Sequence, residues 1–317
     1  MTDLRSKSFS FRAISGIWIF LILSGIGIIS GAFSVFGAET ADVVDYRTFF
    51  GFDPRTTVWI IAELHLMFGA FVLGVPMFAV TVEYVGVLTK EERYDRLAKD
   101  FTRLLSASFA LTAALGGLLT FALFTLYPKV MTFMSGIFHE SFYIYAFFFF
   151  GETFVLYFYY YSWDRLKDRK GIHISAGVLL NIIGLIIMGI SNSWATYMMS
   201  PSGIDPETMK FTGTLMDAIW NPLWNPLNLH RILGNAVFGG YVAGAYAAVK
   251  FLTAQTDEDR AHYDWMGYVG NFIAIVSLLF LPFAGYYLGR EVYSFSPIMG
   301  NNMMGGAFSW TFIIQAI

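Results

Sequence analysis

Seven stretches of this chain are long and apolar enough to cross a lipid bilayer, and that property governs every other reading of it. Spanning the hydrocarbon takes about 20 predominantly apolar residues in a helix. Residues 14–37, 57–88, 104–127, 138–162, 173–198, 227–250 and 266–289 all reach that length. Only α-helices and closed β-barrels satisfy every backbone N–H and C=O in lipid, and continuous apolar runs of this kind predict helices. The expectation is an all-α, polytopic transmembrane helical bundle of about seven spans, one domain over residues 1–317. An eighth apolar stretch, 306–317, is short for a crossing and reads as a docked tail or partial span. The first run is too long for a cleaved signal peptide, and no small-residue cleavage pattern follows it.

Composition agrees and removes whole classes of function. Hydrophobic residues make up 56% of the 317 and charged residues 14%, against about 25% charge in a soluble chain. A net charge of -3 offers no basic face for a nucleic acid. With no cysteine at all there is no disulfide, thiolate-held iron–sulfur cluster, Cys-zinc site or thioether-linked haem in this chain. Metal chemistry here falls to His, Met and carboxylates.

Lysine and arginine set the expected orientation. The N-terminus, Lys90 to Arg103, Arg165 to Lys170, and Lys250 with Arg260 together carry fourteen cations, while the alternate segments carry five: Arg47, Arg55, Lys129, Lys210 and Arg290. The richer set is expected inside, which places the N-terminus in the cytoplasm.

Ionisable groups within the hydrocarbon are costly and are functional candidates by default. They are Glu63, His65, Glu83, Glu140, Glu152, His230 and Arg231, whereas His173 and His262 fall at inner loop positions and read as solvated side chains. His65 lies about 12 Å into a span that enters from outside, at ~1.5 Å per residue, and His230 opens another such span. Glycine follows each histidine four residues later, at Gly69 and Gly234, on the same helix face. That leaves the empty patch a flat macrocycle needs beside a ligating imidazole. A histidine bonded to a neighbouring helix accounts for the same spacing. Glu152 sits in the largely aromatic run 143–161, where burial favours the neutral acid unless a cation compensates. It suits a proton relay, a weak iron ligand, or an acid simply bonded to Tyr or Ser. Glu140 lies outward on the same helix and about 120° round from it.

Several spaced motifs run from residue 55 to residue 288. Arg55 stands ten residues before His65, and Leu73-Gly74, Glu83 and Leu88-Thr89 follow. Phe149-Phe150-Gly151-Glu152 runs on to Trp163-Asp164-Arg165-Leu166. Asn192-Ser193-Trp194 is followed by Pro201 and Gly203, and Asn225-Pro226 by His230, Gly240-Tyr241 and Gly244-Ala245. Together they resemble subunit I of cytochrome bd-type quinol oxidases, the third motif its Asn-Ser-Trp turn and the last its low-spin-haem helix.

The resemblance implies a haem-bearing membrane subunit of an oxidoreductase in a prokaryotic cytoplasmic membrane. Quinol electrons would enter a low-spin haem b held by His230 and pass to a high-spin haem held by His65, where that family reduces oxygen. Arg55 would pair with a propionate, with Trp194, Gly69 and Gly234 beside the cofactors. Glu152, with Glu140, would supply protons, and at least one further membrane subunit would be a partner.

Departures from the pattern temper this. Thr120-Phe121-Ala122-Leu123 stands where the family has Glu-Phe-Gln-Phe, and Ile144 replaces a second carboxylate. The family's second half and its long outer loop have no counterpart in these 317 residues, and the span at 14–37 is additional. A split or truncated variant is expected, with a related subunit supplying the missing ligands, or with Met299, Met303 or Met304 substituting for one. Two rivals stay open: a haem b electron-transfer subunit without oxygen reduction, and a haem-free transporter or scaffold.

Overall fold

The computed structural model describes Thr48 and residues 51–304. The expected spans 57–88 through 266–289 are all helical, as α1 (Pro54–Thr89), α2 (Glu92–Leu126), α3 (Pro128–Tyr161), α4 (Lys170–Met199), α6 (Trp224–Thr253) and α7 (Asp257–Phe295). Two short helices, α5 (Leu215–Ile219) and α8 (Pro297–Met304), complete the described elements. The expected span 14–37 and the apolar tail 306–317 lie outside the described residues. Each of the six long helices is apolar enough to cross a membrane. Phe147, Phe154, Phe283 and Tyr286 project outward, each more than 60% exposed, as lipid-facing residues do. The fold is all-α and polytopic.

Helix ends follow local chemistry. Asp53 starts α1: its carboxylate accepts from the Thr56 N–H and hydroxyl at 3.0 and 2.7 Å, and Pro54 occupies the first turn, where its missing N–H costs nothing. Those bonds, the Thr56 N–H foremost, hold Asp53 below the usual carboxylate range. Lys90, in the left-handed region at φ 59°, ends α1, and its N–H returns to the Gly86 carbonyl at 2.8 Å. Thr256 caps α7 by accepting from the Asp259 N–H at 3.1 Å, and Asp257, Glu258 and Asp259 fill the first turn, where negative charge complements the helix dipole.

The segment from Lys90 to Arg103 is therefore not the loop that its charges imply. Only residues 90–91 break the chain, and α2 begins at Glu92. Leu97, Phe101, Leu105 and Phe109 are buried on one stripe of α2, at the spacing of an amphipathic helix. Arg96 and Lys99 reach out to Asp259 and Asp164.

The described residues fall into two compact units. One contains residues up to His65 and 113–135; the other contains 66–112 and everything from Gly136 onward. The first has a small core of Ile61, Ala122 and Leu126. The second has the main core, in which Phe71, Val75, Phe78 and Ala79 of α1 pack with Phe101, Leu156, Tyr159, Ala243 and Met266. Between α4 and α6 the chain forms a tight hairpin, with Ile204 bridged to Phe211 and Gly203 at φ +74° turning it. The Asp205 carboxylate accepts from the Glu207 and Thr208 N–H groups at 2.8 and 2.9 Å. Thr214 and Asp217 then form a reciprocal capping box that starts α5.

Candidate functional site

In the first unit, His65 is the last residue of the part of α1 that belongs to it and is half-buried. Its ring lies against Gly116 of α2, where an added Cβ would come within 2.9 Å of His65 Cε1 and 3.3 Å of Nδ1. Gly116 was not among the residues the sequence singled out. Only the Gly116-Gly117 pair inside an apolar run hinted at a close approach. Arg55 and Glu63 in the same unit are exposed.

In the second unit, His230 is half-buried near the start of α6. Its Nδ1 is buried and has no hydrogen-bond partner among the described residues. Leaving such an atom unsatisfied costs about 1–3 kcal/mol, so it marks either a ligand position or strain. Gly285 of α7 faces the ring, where a Cβ would sit 3.6 Å from Cε1, and a Cβ at Gly234 would meet nothing within 4 Å. At Gly69 only the Thr112 methyl is near, at 3.9 Å. Of the two glycines that follow the histidines, Gly234 thus stands beside open space, while Gly69 is in ordinary contact with Thr112.

Beside His230, Arg231 donates to Asn192 Oδ1, and Asn192 Nδ2 donates to Asn228 Oδ1 at 2.7 Å. The Asn192-Ser193-Trp194 motif is not a turn. It lies in the last turns of α4, which puts Asn192 opposite α6. Trp194 donates its indole N–H to Ser141 Oγ at 2.9 Å and packs on Phe142 and Tyr145, with centroids 4.7 and 4.9 Å apart. It ties α3 to α4 with its polar atom already used.

Glu152 is 5% exposed and lines a cavity of about 10 Å³ with Asn181, Asn235, Pro76 and Met188, room for about one water. A Cβ on Gly184 would come 3.3 Å from its Oε1. Glu140 is not part of that cavity lining; it is exposed, two residues beyond the non-helical Phe138 (φ −103°, ψ 15°). The bend lies where Ser141 Oγ bonds back to the Phe138 carbonyl at 2.8 Å.

Two histidines correct the sequence reading. His173 is not a solvated loop residue: it is 0% exposed inside α4, with Nδ1 2.6 Å from Glu83 Oε1 and Nε2 2.8 Å from the Tyr159 carbonyl. His262 is likewise buried, in α7, with Nε2 2.8 Å from Asp100 Oδ2. The run 173–198 only begins at His173 and the run 266–289 begins beyond His262, and nothing in the one-dimensional pattern shows the carboxylate each one finds. Among the described residues, no three His, Cys, Asp or Glu side chains gather as a metal-binding group.

The profile of the cytochrome bd terminal oxidase subunit I family matches residues 54–306. The chain belongs to that family. A relative from Bacillus subtilis (strain 168), described as a putative cytochrome bd menaquinol oxidase subunit I, is 24% identical over 218 residues, covering 68% of this chain and 47% of the relative. The bd oxidase structure from Geobacillus thermodenitrificans superposes with a TM-score of 0.67 at 20% identity, over 78% of this chain and 58% of that one. The chain thus spans about half the length of these relatives. The structural likeness establishes the helical fold, and membership of the family bears out the resemblance carried by the spaced motifs.

Proposed function

We propose that this chain is a haem-bearing, multi-pass subunit of a cytochrome bd-type quinol oxidoreductase in a prokaryotic cytoplasmic membrane, with its N-terminus inside. His230 would hold a low-spin haem b and His65 a high-spin haem. The observation that carries the reading is the buried, unpartnered Nδ1 of His230 beside the open position at Gly234. His65, with its ring against Gly116 in the first unit, is read as the second such ligand. The haem iron supplies the one-electron chemistry.

The protein's own residues do the rest. Gly116 and Gly285 let neighbouring helices close on the two imidazoles and set the planes of their rings. Trp194, bonded to Ser141, holds α3 and α4 together, and with them the Glu152 cavity wall formed by both helices. Glu152 is the group placed to accept and pass on a proton, through the water its cavity can admit. Arg231, bonded to Asn192 and to no carboxylate among the described residues, would offer positive charge to an anionic group of the cofactor. Arg55, exposed at the start of α1, offers it likewise. Glu140, exposed and outside that cavity lining, would take part at the surface end of the same helix. At least one further membrane subunit and a quinol donor complete the assembly.

The test is a pyridine haemochromogen assay on the purified complex, comparing wild type with His65→Ala and His230→Ala. Each variant is expected to lose one haem, and retention of every haem in both overturns the assignment.

A second reading, electron transfer without oxygen reduction, draws on the departures in the chain. The Thr120 hydroxyl is spent on the Gly116 carbonyl of its own helix at 2.9 Å, and Ile144 is exposed, so neither position holds an acid. Optical spectra of the reduced complex with carbon monoxide decide between them: no ligand-reactive five-coordinate haem sinks the oxidase version.

A further inference from the structure

We propose that Glu83 of α1 and His173 of α4 form a buried proton-binding site, holding one proton between carboxylate and imidazole at the Lys170 end of the second unit. It lies outside the haem reading and stands if that reading falls.

The proton count follows from hydrogen-bond chemistry. Glu83 is 1% exposed and His173 0%. His173 Nε2 faces the Tyr159 main-chain oxygen at 2.8 Å. A carbonyl only accepts, so Nε2 carries a hydrogen. The other ring nitrogen, Nδ1, is 2.6 Å from Glu83 Oε1. Two heteroatoms that close, both bare, would repel; a proton must lie between them. The pair therefore holds one proton more than a neutral imidazole beside a carboxylate. It is imidazolium with carboxylate or imidazole with carboxylic acid, two tautomers of one charge state. Both nitrogens are engaged by oxygen atoms, so a flipped ring, which would turn carbons toward them, is disfavoured.

The surroundings balance that charge. Tyr159 Oη donates to Glu83 Oε2 at 2.7 Å, and Lys170 Nζ donates to Glu83 Oε1 at 3.0 Å and also to Asp95. Trp163 Nε1 donates to Asp95 Oδ2 at 3.0 Å, and the Tyr159 ring stacks on His173 with centroids 4.4 Å apart. The titratable groups facing the pair are Asp95 of α2, Tyr159 of α3 and Lys170 of α4. Asp164 beyond them is bonded to Lys99, which holds it below the usual carboxylate range. With Glu83, Asp95 and Lys170 ionised, the shared proton brings this cluster to zero net charge. Without it, a buried cluster is left at minus one, a costly state.

One side of the site is closed and the other is open. At Gly177, one turn along α4, an added Cβ would collide with Val80 and lie 3.0 Å from the Tyr159 ring. The helices therefore pack shut between this pair and the Glu152 cavity. Toward Lys170 the side chains of Lys170 and Asp95 are 18% and 40% exposed. A proton taken from water on that side binds between Nδ1 and Oε1, and on release it returns to that water; no other bond forms or breaks.

The experiment uses the full chain in its purified complex, with histidine nitrogens and glutamate carboxyls isotope-labelled, read at neutral pH by nitrogen NMR and infrared spectroscopy. Wild type is expected to show one of its five histidines as an imidazolium or, equivalently, one protonated glutamate bonded to an imidazole. Glu83→Gln keeps a hydrogen bond, because the carboxamide N–H donates to Nδ1, and it keeps the cluster neutral. It is expected to fold and to lose that signal. His173→Gln leaves the uncompensated carboxylate and is expected to lower stability, and the double variant Glu83→Gln/His173→Gln is expected to recover it. A signal unchanged in Glu83→Gln, or a double variant less stable than His173→Gln, overturns the proposal.

Discussion

The α6–α7 seam offers the sharpest test of how this fold is held together. In lipid there is little hydrophobic drive between helices, and association depends on close packing by small residues. Gly240 and Gly244 of α6 face Gly270 and Ala274 of α7. An added Cβ at Gly240 would lie 2.6 Å from the Gly270 carbonyl oxygen and 2.9 Å from Ala274 Cβ. A comfortable carbon–oxygen contact is about 3.3 Å, so Gly240→Ala forces the helices apart by roughly 0.7 Å. Backbone atoms stand in the way, and they cannot rotate aside as a side chain can. The small residues of the seam together make about as many contacts as one buried leucine, roughly 40–60 atom pairs at about 0.1–0.2 kcal/mol each. A gap of 0.5–1 Å forfeits a quarter to a half of that, about 1–6 kcal/mol. Replacing a mid-helix glycine by alanine returns about 1 kcal/mol. The expected net loss is about 2 kcal/mol. Gly267→Ala is the control: its Cβ meets only Ala247 Cβ at 3.6 Å, an ordinary contact, so it is expected to be neutral or stabilising by up to about 1 kcal/mol. Unfolding free energies in mixed micelles decide the matter. If Gly240→Ala proves as stable as Gly267→Ala, close backbone approach is not what holds this seam.

Other predictions are briefer. Gly234→Ala meets no protein atom within 4 Å, so stability should hold while the haem assigned to His230 is lost or weakened in optical spectra; unchanged spectra would speak against a flat ligand there. Gly116→Ala, which would push into the His65 ring at 2.9 Å, should perturb the high-spin signal and leave the low-spin one intact. Trp194→Phe removes the bond to Ser141 and should cost about 1 kcal/mol, read as a lower thermal midpoint, since the Ser141 hydroxyl keeps its bond to Phe138. In the loop after α4, the Thr208 N–H holds Asp205 below its ordinary value of 3.8 and the Thr214 N–H does the same for Asp217. Depressed carboxylates stabilise above the unfolded value and stop doing so as pH falls through the folded one. Amide protection at Glu207, Thr208 and Thr214 should therefore persist at pH 3.8 and vanish only as pH falls through the lowered values, and Asp205→Asn should erase that dependence at the first two.

The long helices were legible because apolar length is a one-dimensional property. Their ends were not. Residues 92–103 carry Arg93, Arg96, Lys99 and Arg103 and look like a loop on a hydropathy scale, yet Leu97, Ala98 and Phe101 are fully buried on the other face. A helix that leaves the membrane keeps its core stripe and solvates the rest, so the span and the helix differ in length. Phe138 interrupts α3 without a proline or a glycine at that position, a bend that no composition rule anticipates.

The site shows a similar division. The ionisable groups inside the expected spans were legible in the sequence, His173 excepted, but which of them is satisfied depends on partners far away in the chain: Glu83 and His173 are 90 residues apart. That distinction sorts the candidates by role. Glu83, His173 and Arg231 spend their polar atoms on protein groups and define how α1, α3, α4 and α6 meet. Among the described residues His230 Nδ1 is buried with no hydrogen-bond partner, as are Ser135 Oγ, Ser162 Oγ and Tyr197 Oη, while Glu152 lines the cavity. Burying an unsatisfied polar atom costs stability, and of those four only His230 Nδ1 is an imidazole nitrogen, the commonest kind of haem-ligating atom. On that argument His230→Ala should cost haem before it costs stability, and substituting Glu83 or His173 should cost stability first.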